Sequence, residues 1–128
     1  MTSDRCQFCD ASRSHVLHEG NLVKAIFDGF PVSPGHALII TRRHVPTWFD
    51  ASREEQNEML ETIQQVQRIL DDQFAPAGFN IGWNVGAAAG QTIFHLHLHV
   101  IPRYVGDVTD PTGGIRNVIP GKGKYRGE

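Results

Sequence analysis

Residues 95–103 read HLHLHVIPR. His95, His97 and His99 alternate with Leu96, Leu98 and Val100, which is the period of a β-strand: apolar side chains face one way and imidazoles the other. Leu96, Leu98 and Val100 suit a core. At the rise of a strand, successive histidines are about 6.7 Å apart and the outer two about 13 Å apart. One small ion cannot hold all three, so the ladder implies a division of labour along one surface. Imidazoles need partners for their ring nitrogens, and two chemistries fit this arrangement. One is a catalytic metal held by a His-x-His pair with a further ligand elsewhere. The other is nucleophilic catalysis, in which one imidazole attacks and its neighbours position charge.

Working outward, FNIGWNVG (79–86) reads as a strand and AAAGQT (87–92) as a turn leading into the ladder. Upstream, Ser52 with Glu55 three residues on is a capping-box signature. Met59, Leu60, Ile63, Val66, Ile69, Leu70 and Phe74 recur at three- and four-residue steps, which predicts an amphipathic helix from about Ser52 to Phe74, stopped by APAG (75–78). Residues 15–41 read as two or three strands. Leu22–Phe27 and His36–Thr41 are split there by the turn-rich DGFPVSPG (28–35). The tail from about 104 to 128 is loop-like, and neither a repeat nor a linker interrupts the chain, so one domain over 1–128 is expected. Strands on both sides of one long helix predict an α+β fold with an antiparallel sheet of about five strands.

The 128 residues are 40% hydrophobic and 20% charged, with a formal net charge of -2. That balance fits an ordinary globular chain and gives no bulk electrostatic reason to bind nucleic acid. No apolar run approaches the roughly 20 residues of a membrane span. The polar start MTSDRCQFCD suggests a cytoplasmic location. Cys6 and Cys9, the two cysteines, stand at C-x-x-C spacing, which by itself is a redox pair, half a metal site or chance.

GQTIFHLHLHVIPR (90–103) resembles the signature of the histidine triad (HIT) family of nucleotide hydrolases and transferases, His-φ-His-φ-His-φ-φ with φ apolar, and His95 through Ile101 fit it at every position. The likeness continues upstream through FDGFPVSPGHALIITRRHV (27–45) to the cysteines, and covers most of residues 6–103. It implies a HIT-like fold, a homodimer and an adenine nucleotide substrate. It also assigns residues. The middle histidine, His97, is the nucleophile, attacking the α-phosphorus to form a nucleotidyl-histidine that water then cleaves. Its other ring nitrogen must keep a proton and be held by an acceptor such as a backbone carbonyl. His99 contacts phosphate oxygens. Gln91, and more weakly Thr92, lie near the phosphates or the leaving group, and Asn84 lies near the α-phosphate. Asp28 bonds the ribose hydroxyls, although an Asp before Gly29 is also a common turn starter. Ile26 and Phe27 wall the base or belong to the core. His36 supports the site from behind the nucleophile, and Asn80 is structural.

Part of the family opens with C-x-F-C and holds structural zinc, which here implies Cys6, Cys9, His44 and His95 as ligands, with His15 or His18 as replacements for His44. Arg116, Lys122 and Lys124 in the tail match a region that often reaches a partner subunit's site, and GKGKY lacks the pattern of a phosphate loop. HVIPRY resembles the branch that splits dinucleoside polyphosphates, with nucleoside phosphoramidates as the other substrate class. A nucleotide-binding module with negligible turnover and a hydrolase with catalytic zinc on His95 and His97 are the alternatives.

Overall fold

The computed structural model describes residues 6–10 and 15–125. Five strands, β1 (Val16–Glu19), β2 (Val23–Phe27), β3 (Ala37–Thr41), β4 (Gly78–Gly82) and β5 (His97–Arg103), accompany one long helix, α1 (Arg53–Phe74). The sheet has the order β1-β2-β3-β5-β4, and every neighbouring pair is antiparallel. This is the α+β arrangement expected from the sequence. The tail carries no described strand or α-helix and contains one 3-10 turn over Gly114–Val118. Among the described residues no helix is long and apolar enough to cross a membrane.

The helix starts where its capping box places it. Ser52 Oγ accepts from the Glu55 N–H at 3.1 Å, and Glu55 Oε1 accepts from the Ser52 N–H at 2.8 Å, so two backbone donors at the helix start are satisfied reciprocally. The buried Glu55 carboxylate also pairs with the Arg43 guanidinium at 2.7 Å, tying the helix start to the end of β3. At the other end Ala75 adopts a left-handed conformation (φ 49°, ψ 51°), and Pro76 prevents the helix from continuing. Gly35 lets the turn before β3 pass close to the helix: a Cβ there would meet the Phe74 ring at 2.9 Å.

The period-two pattern divides the sheet into two faces. Met59, Val66 and Leu70 of α1 pack against Ala25, Ala37, Ile39, Leu96, Leu98 and Val100 in one buried cluster. Ile26, Leu38 and Ile40 point the opposite way and join Cys6 and Phe8 in a second, smaller cluster. Leu60, part of the expected helix stripe, is 48% exposed, whereas Thr62 is buried with its hydroxyl donating to the Glu58 carbonyl at 2.7 Å. The strand FNIGWNVG ends earlier than expected, at Gly82, and Asn84 is thereby left in the loop that approaches the histidines.

Candidate active site

The ladder lies on the sheet face opposite α1. β5 begins at His97, so His95 precedes the strand, and pairing with β3 sets His97 beside Ile40 and His99 beside Leu38. His97 and His99 line a cleft of about 310 Å³. Ile26, Asp28, Asn84 and Thr92 also line it, so these sequence-derived candidates come together around one space. Phe27 borders the cleft, but its ring packs edge-on against Phe74 with 6.0 Å between centroids, as part of the core under α1. Asn80 accepts from the Arg103 guanidinium on the neighbouring strand, a structural contact.

Gln91 stands apart from the expectation. It is 4% exposed and is not among the residues lining the cleft. Its Oε1 accepts from the Gly86 N–H at 2.9 Å, and its Nε2 donates to the carbonyls of Pro46 (2.7 Å) and Ile93 (3.1 Å). Here the amide pins the 84–93 loop, which holds Asn84 and Thr92 at the cleft. Two of the tail cations have partners within the tail. Arg116 donates to the Lys122 carbonyl at 3.0 Å and stacks on Tyr125, and Lys124 pairs with Asp110 at 3.0 Å.

Hydrogen bonding fixes the protons on the imidazoles. His97 Nδ1 lies 2.7 Å from the His95 carbonyl oxygen, which can only accept. The proton therefore sits on Nδ1, and Nε2 presents a lone pair. His36, 3% exposed, sits behind His99 rather than behind His97. The Val32 N–H donates to His36 Nδ1 at 3.2 Å, so His36 carries its proton on Nε2. That proton faces His99 Nδ1 at 3.0 Å, with Asp28 Oδ2 at 3.5 Å. His99 Nδ1 is then an acceptor, and His99 Nε2 keeps an N–H. Burial lowers the pKa of His97, His36 and His99 below that of free imidazole. For His99 the neighbouring His97 and His36 add to the effect and bring it to about 4. All three rings are therefore neutral at pH 7. Asp28 Oδ1 accepts from the Phe30 N–H at 2.8 Å as a turn residue, and the residue borders the cleft.

Among the described residues, two groups of side chains bring donor atoms within ion-binding distance of one another, and their chemistry separates them. The first is Cys6, Cys9, His44 and His95. Cys6 Sγ is 3.3 Å and Cys9 Sγ 3.4 Å from His95 Nδ1, His44 Nδ1 is 3.1 Å from Cys9 Sγ, and the two Nδ1 atoms are 3.2 Å apart. With ordinary zinc–ligand bond lengths, a tetrahedron has S···N edges of about 3.5 Å and N···N edges of about 3.3 Å. His95 Nε2 donates to the Thr41 carbonyl at 2.6 Å, which leaves Nδ1 unprotonated toward the cluster, as a metal ligand requires. The residues fit zinc. His15 and His18 are not part of this group. Because both His95 nitrogens are committed, His95 has none left for a metal shared with His97. The second group is Asp28, His36 and His99. There the Val32 N–H keeps the His36 proton on Nε2, the atom an ion would need, so the geometry suits a proton-donor chain better than a metal.

Phe8 was not singled out by the sequence reading. It lies between the two cysteines, is 8% exposed, and its ring is 4.9 Å from that of His97 and 6.0 Å from that of His95. With Gln7 it forms one wall of the cleft. The available signal was its place inside C-x-x-C: a cluster that takes both thiols and His95 must carry Phe8 to the ladder.

A five-stranded antiparallel sheet, backed by one helix and presenting a histidine-lined cleft beside a Cys2His2 cluster, defines the class of protein. The HIT domain model matches residues 10–106, and the chain belongs to the HIT family. It is similar to AP-4-A phosphorylase of Mycobacterium tuberculosis, with 37% identity over 108 residues, covering 82% of this chain and 55% of that protein. The asymmetrical bis(5'-nucleosyl)-tetraphosphatase of Schizosaccharomyces pombe is 34% identical over 97 residues, covering 76% of this chain and 53% of the relative. The chain thus spans about half the length of these two enzymes. Among solved structures, a zinc-bound histidine triad family protein from Mycobacterium smegmatis superposes with a TM-score of 0.76 at 32% identity, covering 85% of this chain and 82% of that one.

Proposed function

We propose that the protein is a nucleotide hydrolase that acts at an α-phosphate through a covalent nucleotidyl-His97 intermediate, with dinucleoside polyphosphates as the favoured substrates. The observation that carries this reading is the 2.7 Å bond from His97 Nδ1 to the His95 carbonyl, which leaves Nε2 unprotonated. Nε2 attacks the α-phosphorus, a P–N bond forms, and the P–O bond to the departing phosphate chain breaks. His99 Nε2–H donates to a phosphate oxygen as charge develops in the transition state. Asn84 and Thr92 contact the phosphates, Asp28 accepts from the ribose hydroxyls, and Ile26 walls the base. Water then attacks phosphorus, the nucleoside monophosphate leaves, and His97 is restored. Similarity to an AP-4-A phosphorylase and a bis(5'-nucleosyl)-tetraphosphatase supports the polyphosphate substrate class, and phosphoramidates are the second class to assay. Turnover of diadenosine tetraphosphate should vanish in His97→Ala while AMP binding stays within a few-fold of wild type. Residual turnover near the wild-type rate would exclude His97 as the attacking group.

One observation favours a second reading, a nucleotide-binding module with negligible turnover. Gln91, expected near the phosphates or the leaving group, has its amide committed to backbone. Single-turnover assays over minutes to hours separate a slow hydrolase from a binder.

Zinc held by Cys6, Cys9, His44 and His95 would be structural, joining the N-terminal segment to the start of β5 by metal–ligand bonds. Cys9→Ser should release the metal and lower thermal stability. A fully active native protein without metal would exclude this role. We further propose a cytoplasmic homodimer, with β4 at the sheet edge and the exposed Leu60 as candidate contacts. Light scattering at micromolar concentration tests the assembly.

A further inference from the structure

We infer that residues 6–9 are a metal-organised wall of the substrate cleft, so that zinc and nucleotide bind with positive linkage through Phe8. This rests on the zinc and nucleotide reading above and goes beyond it, because a purely structural metal would leave nucleotide affinity unchanged.

Cys6 and Cys9 enter the cluster with His44 and His95, while Gln7 and Phe8, between them in sequence, line the cleft. The same four-residue turn therefore belongs to both sites. No described strand includes it, and a backbone hydrogen bond from the Asp10 N–H to the Cys6 carbonyl at 3.2 Å closes its turn. Its contacts with the rest of the fold include the thiols and the Phe8 ring, which packs with Ile26, Leu38 and Ile40 and tilts over His97. Ordering the backbone of such a segment costs more than the burial of the Phe8 ring and the small Cys6 side chain returns. Metal ligation can make up the difference.

Without the ion, the segment loses its metal–ligand bonds and samples more conformations, and the wall formed by Gln7 and Phe8 is less often in place. With the ion bound, the wall is in place before nucleotide arrives, and nucleotide does not have to order it. Linkage is reciprocal: if zinc raises the affinity for nucleotide by some factor, nucleotide raises the affinity for zinc by the same factor. Phe8 is the element common to both equilibria, since it is placed by the cysteines on either side and touches His97 across the cleft.

The test uses the full chain, with AMP as the nucleotide and chelator-buffered zinc as the metal. Calorimetry should show AMP binding to the zinc-loaded protein about tenfold tighter than to the metal-free protein, and zinc affinity should rise by the same factor at saturating AMP. Phe8→Ala should still take up one zinc per chain. It should bind AMP about as weakly as metal-free wild type, and the linkage should fall to near unity. Phe8→Leu, which refills part of the volume, should restore part of both. Equal AMP affinity with and without zinc would overturn the inference. So would zinc-loaded Phe8→Ala binding AMP as tightly as wild type, and that comparison holds even if metal removal unfolds the chain. A wild-type protein that takes up no zinc, or binds no AMP when loaded, would remove the underlying reading as well.

Discussion

His36 Nε2 lies 3.0 Å from His99 Nδ1, and the Val32 N–H behind it settles which of the two rings donates. A backbone amide outside the ladder thus determines that His99 keeps its N–H on the nitrogen not facing His36. A ladder of three similar rings acquires three roles in this way: His95 faces the cysteines, His97 presents a lone pair and His99 presents a proton.

His36 should therefore act through His99 without touching substrate. His36→Ala should lower kcat by about two- to tenfold, the loss of one hydrogen bond between neutral rings worth roughly 0.5–1.5 kcal/mol, and leave KM within a few-fold. His36→Gln, which keeps an N–H donor, should recover part of kcat. Equal losses in both variants, or a change confined to KM, would show that His36 only fills space.

Asp28→Ala should weaken nucleoside binding about ten- to a hundredfold through loss of a charge-assisted hydrogen bond. Because Asp28 Oδ1 also accepts from the Phe30 N–H, a modest drop in thermal stability should accompany it. With a substrate lacking ribose hydroxyls, the variant and wild type should bind alike. An undiminished difference there would assign Asp28 another role.

Acid should destabilise the fold in a defined window. Burial depresses His36 and His99, and His99 reaches about 4, whereas the same groups in the unfolded chain titrate near 6.5. Between those values the unfolded state binds more protons than the folded state, so stability falls as pH drops from about 6.5 toward 4. Above the window the contribution is fully present. Denaturant midpoints measured across this range should decline less steeply in His99→Gln than in wild type. Parallel profiles would mean that His99 is not depressed in the folded protein.

Much of this was legible in the sequence because it follows short periods. The Ser52–Glu55 capping box placed the helix start, alternation of Leu96, Leu98 and Val100 with histidines placed the two faces of β5, and the cluster of Cys6, Cys9, His44 and His95 followed from the family resemblance, since C-x-x-C spacing alone is ambiguous. What was not legible depends on contacts between distant segments. Gln91 read as a site residue, but its burial against Pro46 and Gly86 turns its amide into a loop staple. Phe8 and Phe27 are both aromatic residues beside plausible site positions, and only the packing distinguishes them: Phe8 faces His97, whereas Phe27 meets Phe74 under the helix. The tautomer chain from Val32 through His36 to His99 leaves no sequence pattern, because a backbone N–H carries no residue identity.

The most direct test of His97 as the attacking group is to trap the intermediate. Wild-type protein mixed briefly with a slow adenylate donor, quenched under conditions that preserve phosphoramidate bonds and mapped by mass spectrometry should carry one nucleotidyl group, on His97. His97→Ala should carry none. A label on another residue, or undiminished turnover in His97→Ala, would contradict His97 as the nucleophile.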